Sequence, residues 1–287
     1  MRVWVCGVRG STPAPGAEFT RHGGHTSCLA IGHDGEPPSL IVDAGTGIRR
    51  VTGFLEGAPF RGTILLGHLH WDHTQGLPFF AAADRPDART DVLLPDQGDA
   101  AAVLERAISP PHFPIGLGGL RGTWRFGGLE PGRHRVEGFN VLALDIPHKG
   151  GRTFGYRISD DGEDGAALAY LSDHNPIALG GGPDGLGPYH EAAVALAGGV
   201  DVLFHDAQHT AAELPSRASF GHSAADYAVG LGVFAGAATV LLYHHDPSRT
   251  DAEVDAMVAS LQRPGIGVCS AVEQAVLDIG TGRTDPN

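Results

Sequence analysis

The stretch Thr63-Ile-Leu-Leu-Gly-His68-Leu-His70-Trp-Asp72-His73 is an apolar run that ends at Gly67 and is followed within six positions by four side chains able to ligate a metal. In extended chain His68 and His70 lie two apart and point to one side. Asp72 and His73 fall where the chain turns toward a helix, so they can face the same cavity from another direction. Two imidazoles at alternate positions suit one ion and the Asp-His pair a second, the ions of such two-metal sites lying about 3.5–4 Å apart.

One hexapeptide cannot complete two metal sites. Four later segments share its design, an apolar run that delivers His or Asp at its end: Val141 to His148, Leu168 to Asp173-His174, Val202 to His205-Asp206, and Val240 to His244-His245-Asp246. A rigid sheet can hold catalytic groups at its strand ends while leaving room for a substrate.

The rest of the chain reads as sheets covered by helices. Short β-type runs recur at Val3–Cys6, Cys28–Ile31, Leu40–Val42, Ile64–Leu66, Val92–Leu94, Val141–Leu144, Phe154–Ile158, Leu168–Leu171, Val202–Phe204 and Val240–Tyr243. Helical periodicity falls between them at Ala100–Ile108, Glu191–Ala197, Ala224–Phe234 and Asp251–Leu261. The stretch Ser109 to His134 is rich in Gly and Pro and reads as a long loop, an insertion at about 109–135 in a single domain spanning 1–287.

Composition narrows the function. The 287 residues carry a net charge of −13, which disfavours a long nucleic acid as partner. No apolar run approaches the roughly 20 residues that cross a bilayer, and no membrane association is expected. Cys6, Cys28 and Cys269 are odd in number and far apart, offering neither a disulfide framework nor a zinc-knuckle spacing, so a cytoplasmic location is expected. The 16 histidines are the compositional oddity, and histidine is the commonest metal ligand.

With its His-x-His-x-Asp-His cluster at a strand end, the chain resembles the metallo-β-lactamase superfamily, and more narrowly its phosphodiesterase branch, which includes ribonuclease Z and cyclic-nucleotide phosphodiesterase-like hydrolases. Gly7-Val-Arg-Gly-Ser-Thr-Pro13, Gly23-Gly-His-Thr-Ser-Cys28 and Asp43-Ala-Gly-Thr46 resemble that branch's N-terminal pattern. His148 with Gly155-Tyr-Arg157, Ser172-Asp173, His205-Asp-Ala-Gln208, Gly221-His-Ser223 and Tyr243-His244 follow in the branch's order. The resemblance implies an α/β four-layer αββα sandwich and two divalent ions, Zn²⁺ first, with Mn²⁺ or Fe²⁺ as alternatives. It implies that His68, His70 and His148 hold one ion and Asp72, His73 and His244 the other, with Asp173 bridging. His244 is preferred to His245 because it directly follows the strand. Asp43 has a role behind the ligands open to it, against the alternative of a strand-end turn residue before Gly45, and Asp206 a role behind the ligands or in orienting substrate, against a solvated strand end. His222, with Asp72, is the expected catalytic residue. A small phosphodiester such as a cyclic nucleotide is the expected substrate, ahead of ribonuclease Z-like RNA processing, because no basic arm is evident. Thioester or lactone hydrolysis at the same centre, or a non-catalytic binding protein, are the remaining readings. A homodimer is expected only because relatives commonly form one.

Overall fold

A computed structural model describes residues 1–160 and 165–280 of the chain. The first sheet contains β1 (Arg2–Gly7), β2 (Cys28–Gly32), β3 (Leu40–Val42), β4 (Arg61–Leu65), β5 (Arg89–Pro95) and β6 (Thr123–Leu129). The second contains β7 (Gly132–Val136), β8 (Phe139–Asp145), β9 (Phe154–Ser159), β10 (Ala167–Leu171), β11 (Val202–Asp206), β12 (Thr239–Tyr243) and β13 (Gly267–Ser270). A last strand, β14 (Val276–Asp278), returns to the first sheet, giving the orders β14-β1-β2-β3-β4-β5-β6 and β13-β12-β11-β10-β9-β8-β7. Both sheets are mixed: β3 to β6 run parallel, as do β10 to β13, and the other pairings are antiparallel.

The alternation of side chains along each strand sorts the apolar residues into three cores. Val3, Val5, Leu29, Val42 and Leu65 meet Phe139, Tyr156, Leu168, Phe204 and Tyr243 between the sheets. The opposite faces of the same strands, through Trp4, Cys6, Ala30, Ile41 and Ile64, pack under α1 (Val51–Phe54) and α3 (Ala100–Glu105). On the far side, Ala169, Leu171, Leu203 and Leu242 pack under α4 (Glu191–Ala197), α6 (Ala225–Ala235) and α7 (Asp251–Ser260). The short α2 (Trp71–Thr74) and α5 (Leu214–Arg217) complete the helices among the described residues. The result is helix, sheet, sheet, helix, the αββα sandwich expected. Central strands buried on both faces explain why their sequences are near-continuous apolar runs.

Three fully buried tyrosines of the second sheet cross to the first. The hydroxyl of Tyr156 donates to the Leu66 carbonyl at 2.6 Å, and that of Tyr170 to Asp43 Oδ2 at 2.6 Å. Tyr243 donates to the Gly7 carbonyl at 2.7 Å and accepts from the Cys28 N–H at 2.9 Å. That double contact sits where the β1–β2 register shifts between Val5 and Gly7.

The stretch 109–134 differs from the loop its composition suggests, because Thr123–Leu129 are the edge strand β6, paired among the described residues only with β5. With Gly127 and Gly128 in its interior and exposed residues along its length, an edge strand lacks the β-branched apolar signal of a buried one. The helical expectations fall close to α3, α4, α6 and α7; α7 opens with a capping box in which Thr250 and Glu253 satisfy each other's backbone N–H.

Candidate metal centre

The site lies at one end of the sandwich, where strands of both sheets stop. After β4 the Gly67 N–H is held by Asp43 Oδ1 at 2.7 Å. His70 then occupies the position before α2 in extended conformation, and Asp72 and His73 lie in that helix's single turn. The second sheet supplies His148 after β8, Asp173 after β10 and His244 after β12. Asp43, Asp173 and His244 all adopt left-handed backbone, with φ of 60°, 58° and 58°. Such a conformation is unusual for a non-glycine residue and concentrates at functional sites. Here it turns each side chain out of the strand and into the seam between the sheets.

These side chains form overlapping groups whose ligating atoms lie within 4.8 Å of one another: His68, His70, His148 and Asp173 in one, Asp72, His73, Asp173 and His244 in another. Asp173 is common to both, and its two oxygens face different ways. Oδ1 lies 3.8 Å from His68 Nε2 and 3.6 Å from His148 Nε2. Oδ2 lies 3.0 Å from His73 Nε2 and 3.3 Å from His244 Nε2. A third grouping joins Asp173 and His244 to Asp206 and His222.

The nitrogens turned away from the cluster are tied down. His73 Nδ1 lies 2.6 Å from Asp43 Oδ2, and His148 Nδ1 donates to the Gly221 carbonyl at 2.7 Å. Asp206 Oδ2 takes His222 Nδ1 at 2.8 Å and faces His244 Nδ1 at 3.4 Å. Its Oδ1 accepts the N–H groups of Gln208 and Ser223 at 3.0 and 3.2 Å. With a proton fixed on the outer nitrogen, each ring directs a lone pair inward, the arrangement that orients metal-ligating histidine.

The cluster fits a cation. His68 Nε2 is buried and has no hydrogen-bond partner, a costly state for a polar atom that a metal bond would relieve. Burial, with His73 alongside, pushes His68 well below the ordinary imidazole range, so it stays neutral and available as a ligand. Burial disfavours charge on His73, yet Asp173, Asp43 and Asp72 together drive its pKa well up, because their field favours positive charge at that point. Burial likewise opposes the charge on Asp173, but His244, His73 and His68 hold it well below the usual carboxylate range. Close backbone approach is needed too: a Cβ on Gly150 would lie 2.6 Å from His70 Nε2.

His245 takes a different direction from His244. Its Nε2 pairs with Ser270 Oγ at 3.0 Å, away from the cluster. His222 lines an open cavity of about 390 Å³ with Ser11, Leu69, His70, Trp71, Asp72 and Asp173, and the Ser11 N–H donates to Asp72 Oδ2 at 2.6 Å. Asp43 and Asp206 are fully buried and hold the rings as described; Asp206 is not a solvated strand end, and Asp43 holds His73 as well as the turn at Gly67.

Sequence reasoning missed a histidine chain behind the site. His205 Nδ1 faces the Asp206 carbonyl at 2.8 Å, His174 Nδ1 faces His205 Nε2 at 2.9 Å, and His190 Nε2 faces His174 Nε2 at 2.7 Å. The carbonyl can only accept, so His205 donates to it, His174 donates to His205 and His190 donates to His174. Burial lowers the pKa of all three rings and so favours their neutral forms, in which each tautomer is fixed by the next. His174 and His205 stood out only as strand-end residues; the chain depends on contacts that span 31 and 16 positions.

The family model described as "Beta-lactamase superfamily domain" matches residues 39–245. The chain belongs to this family, and its fold and His/Asp clusters are those of a metallo-β-lactamase superfamily hydrolase. Among solved structures, the metallo-beta-lactamase fold protein YhfI from Bacillus subtilis is similar at 17% identity and a TM-score of 0.67, over 96% of this chain and 99% of that one. A diphosphatase from the PhnP family is similar at 19% identity and a TM-score of 0.68, over 96% and 97% of the two chains. The short form of human tRNase Z is similar at 18% identity and a TM-score of 0.65, over 97% and 99%. No curated protein sequence matches. Among the described residues no helix is long and apolar enough to cross a membrane.

Proposed function

We propose that the protein is a two-metal phosphodiesterase acting on a small phosphodiester. The observation that carries this reading is the geometry of Asp173, whose two oxygens each face a different set of histidine nitrogens. His68, His70 and His148 would hold one ion, Asp72, His73 and His244 the other, and Asp173 would bridge. Nitrogen-rich sites with a carboxylate suit Zn²⁺, with Mn²⁺ and Fe²⁺ as competitors. Bound there, two divalent ions would lower the pKa of a water molecule and take up charge on a phosphoryl oxygen.

The remaining work falls to the chain's own groups. His222 has Nδ1 fixed by Asp206, and its ring lines the cavity beside Asp72 and Asp173. Its other nitrogen faces the cavity, and in the doubly protonated ring that N–H is the group placed to donate a proton to the leaving oxygen. Two fold neighbours bear the names diphosphatase and tRNase Z, which supports phosphate chemistry over attack on a carbonyl carbon. The free state of Cys6, Cys28 and Cys269 supports a reducing, cytoplasmic setting.

The test is metal content together with a substrate panel: bis(p-nitrophenyl) phosphate, cyclic AMP, cyclic GMP, a precursor tRNA, a thioester and a lactone. Diester cleavage that His68→Ala abolishes along with metal, and that His222→Ala lowers by about 10²–10⁴-fold with metal retained, supports the reading. Turnover confined to the thioester or lactone moves the chemistry to carbonyl carbon, and a protein that takes up no metal refutes the centre itself.

A further inference from the structure

Beside the metal cluster lies a second and larger cavity, of about 1350 Å³, whose wall includes Trp71, Phe79, Phe113, Arg49, Arg106 and His112. Small-molecule sites usually enclose about 300–1,000 Å³, so there is room here for more than one nucleotide. Not one Asp or Glu is among the described residues that line it, although the chain as a whole has a net charge of −13. Arg50, also on the wall, is committed to Glu273. Arg49 and Arg106 are exposed and have no carboxylate within ion-pair distance among the described residues. A basic wall without carboxylates concentrates anions.

The aromatic residues are as unusual as the charges. Trp71 is 73% exposed and Phe79 57% exposed, and Phe79 meets Phe113 edge to face with centroids 5.8 Å apart. Exposed aromatic faces interleaved with arginines are what single-stranded nucleotides use, bases stacking on the rings and phosphates on the guanidinium groups. Position completes the case: Trp71 stands between His70 and Asp72 in sequence and lines both this groove and the cavity at the metal cluster. A ligand with one phosphoryl group at the cluster reaches the groove directly across the indole.

We propose that this groove holds the part of the substrate remote from the cleaved bond, and that the substrate is a linear nucleotide diester with at least one base and one further phosphate. The inference rests on the phosphodiesterase reading for what happens at the cluster. The base lies against Trp71, the further phosphate between Arg49 and Arg106, and Phe79 and Phe113 offer a second stacking surface. A compact cyclic mononucleotide uses only the first part of this surface.

The test reads binding without turnover. The full-length protein is titrated with the phosphorothioate analogue of 5′-phosphorylated diadenylate, which resists hydrolysis, and with cyclic AMP. The expected result is tighter binding of the dinucleotide. In Arg49→Ala/Arg106→Ala its Kd should rise by about tenfold or more, its salt dependence should become shallower, and cyclic AMP should lose less. Trp71→Ala should weaken both ligands by roughly fivefold or more, as the loss of one stacking platform does. A dinucleotide Kd unchanged in the double variant overturns the proposal, as does an equal loss for both ligands. Failure to bind the dinucleotide, with sedimentation showing a dimer that the double variant disrupts, overturns it in favour of a second copy on this face. Because binding is read directly, a protein that binds the dinucleotide in this pattern yet cleaves no diester keeps the groove assignment and loses the catalytic one.

Discussion

At the scale of single residues, the buried carboxylates behind the cluster decide how well it holds a cation. Asp43 accepts from the Gly67 N–H, His73 Nδ1 and the Tyr170 hydroxyl. Asp43→Asn keeps the shape but removes the charge and sets an amide against groups that donate. Metal affinity should fall by about 10–100-fold, measured by chelator competition, with the far-UV spectrum unchanged; undiminished affinity would show that Asp43 only shapes the turn. Much of this site was legible in the sequence, because each of His68, His70, Asp72, His73, His148, Asp173 and His244 follows an apolar run that stops abruptly. What was not legible is partnership over distance. That Asp206 serves two rings, or that the Gly221 carbonyl sets the tautomer of a residue 73 positions away, follows from the sheet order alone. The choice between His244 and His245 was open in sequence for the same reason: a single residue of slip reverses which one faces the seam.

Among the elements, the turns that follow the strands matter as much as the strands. Gly150 has φ +89°, and an added Cβ would meet His70 Nε2. Gly35 has φ +77° with nothing within 4 Å of the added atom. Both Gly→Ala variants should therefore lose stability by about 1–2 kcal/mol, the cost of left-handed backbone in an L-residue. Only Gly150→Ala should also lose bound metal, since it alone displaces a ring of the cluster. Thermal melts and metal content on the pair separate the two effects, and equal metal content would remove Gly150 from the site's architecture. The strands that sequence reading found are central, apolar and β-branched; β6, β7, β13 and β14 escaped it. β6, β7 and β13 begin at or contain glycine or exposed polar residues, and β14 is three residues long, so their strand character comes from a neighbour's free edge.

For the whole molecule, the acid limit of stability follows from the histidine chain. Burial pushes His205 down to about 4, and burial also holds His174 and His190 below the ordinary range. Unfolded histidine titrates near 6.5. Above that pH both states are neutral and the chain's contribution is intact. Between about 6.5 and 4 the unfolded state takes up the proton first, and stability should fall by roughly 3 kcal/mol for His205 alone. Denaturant melts at pH 7.5, 5.5 and 4.5 should show that decline, and His205→Leu, less stable at pH 7.5, should show a smaller one. An identical slope in the variant would exclude the chain as its source. Sheets covered by helices were readable from the alternation of strand and helix, and the αββα order from the family resemblance, whereas this chain was not readable, since its members lie on separate elements.

The tyrosines that cross between the sheets carry a consequence for how the two halves can move. Tyr156, Tyr170 and Tyr243 lock three different strands of one sheet to the strand ends of the other. A slide of one residue, about 3.3 Å along a strand, breaks all three bonds at once among fully buried side chains. The sandwich is thus keyed like a lock with three pins: it cannot creep, and its halves are either seated or apart. A cation at the seam would therefore meet ligating groups that the closed sandwich already holds within 4.8 Å of one another.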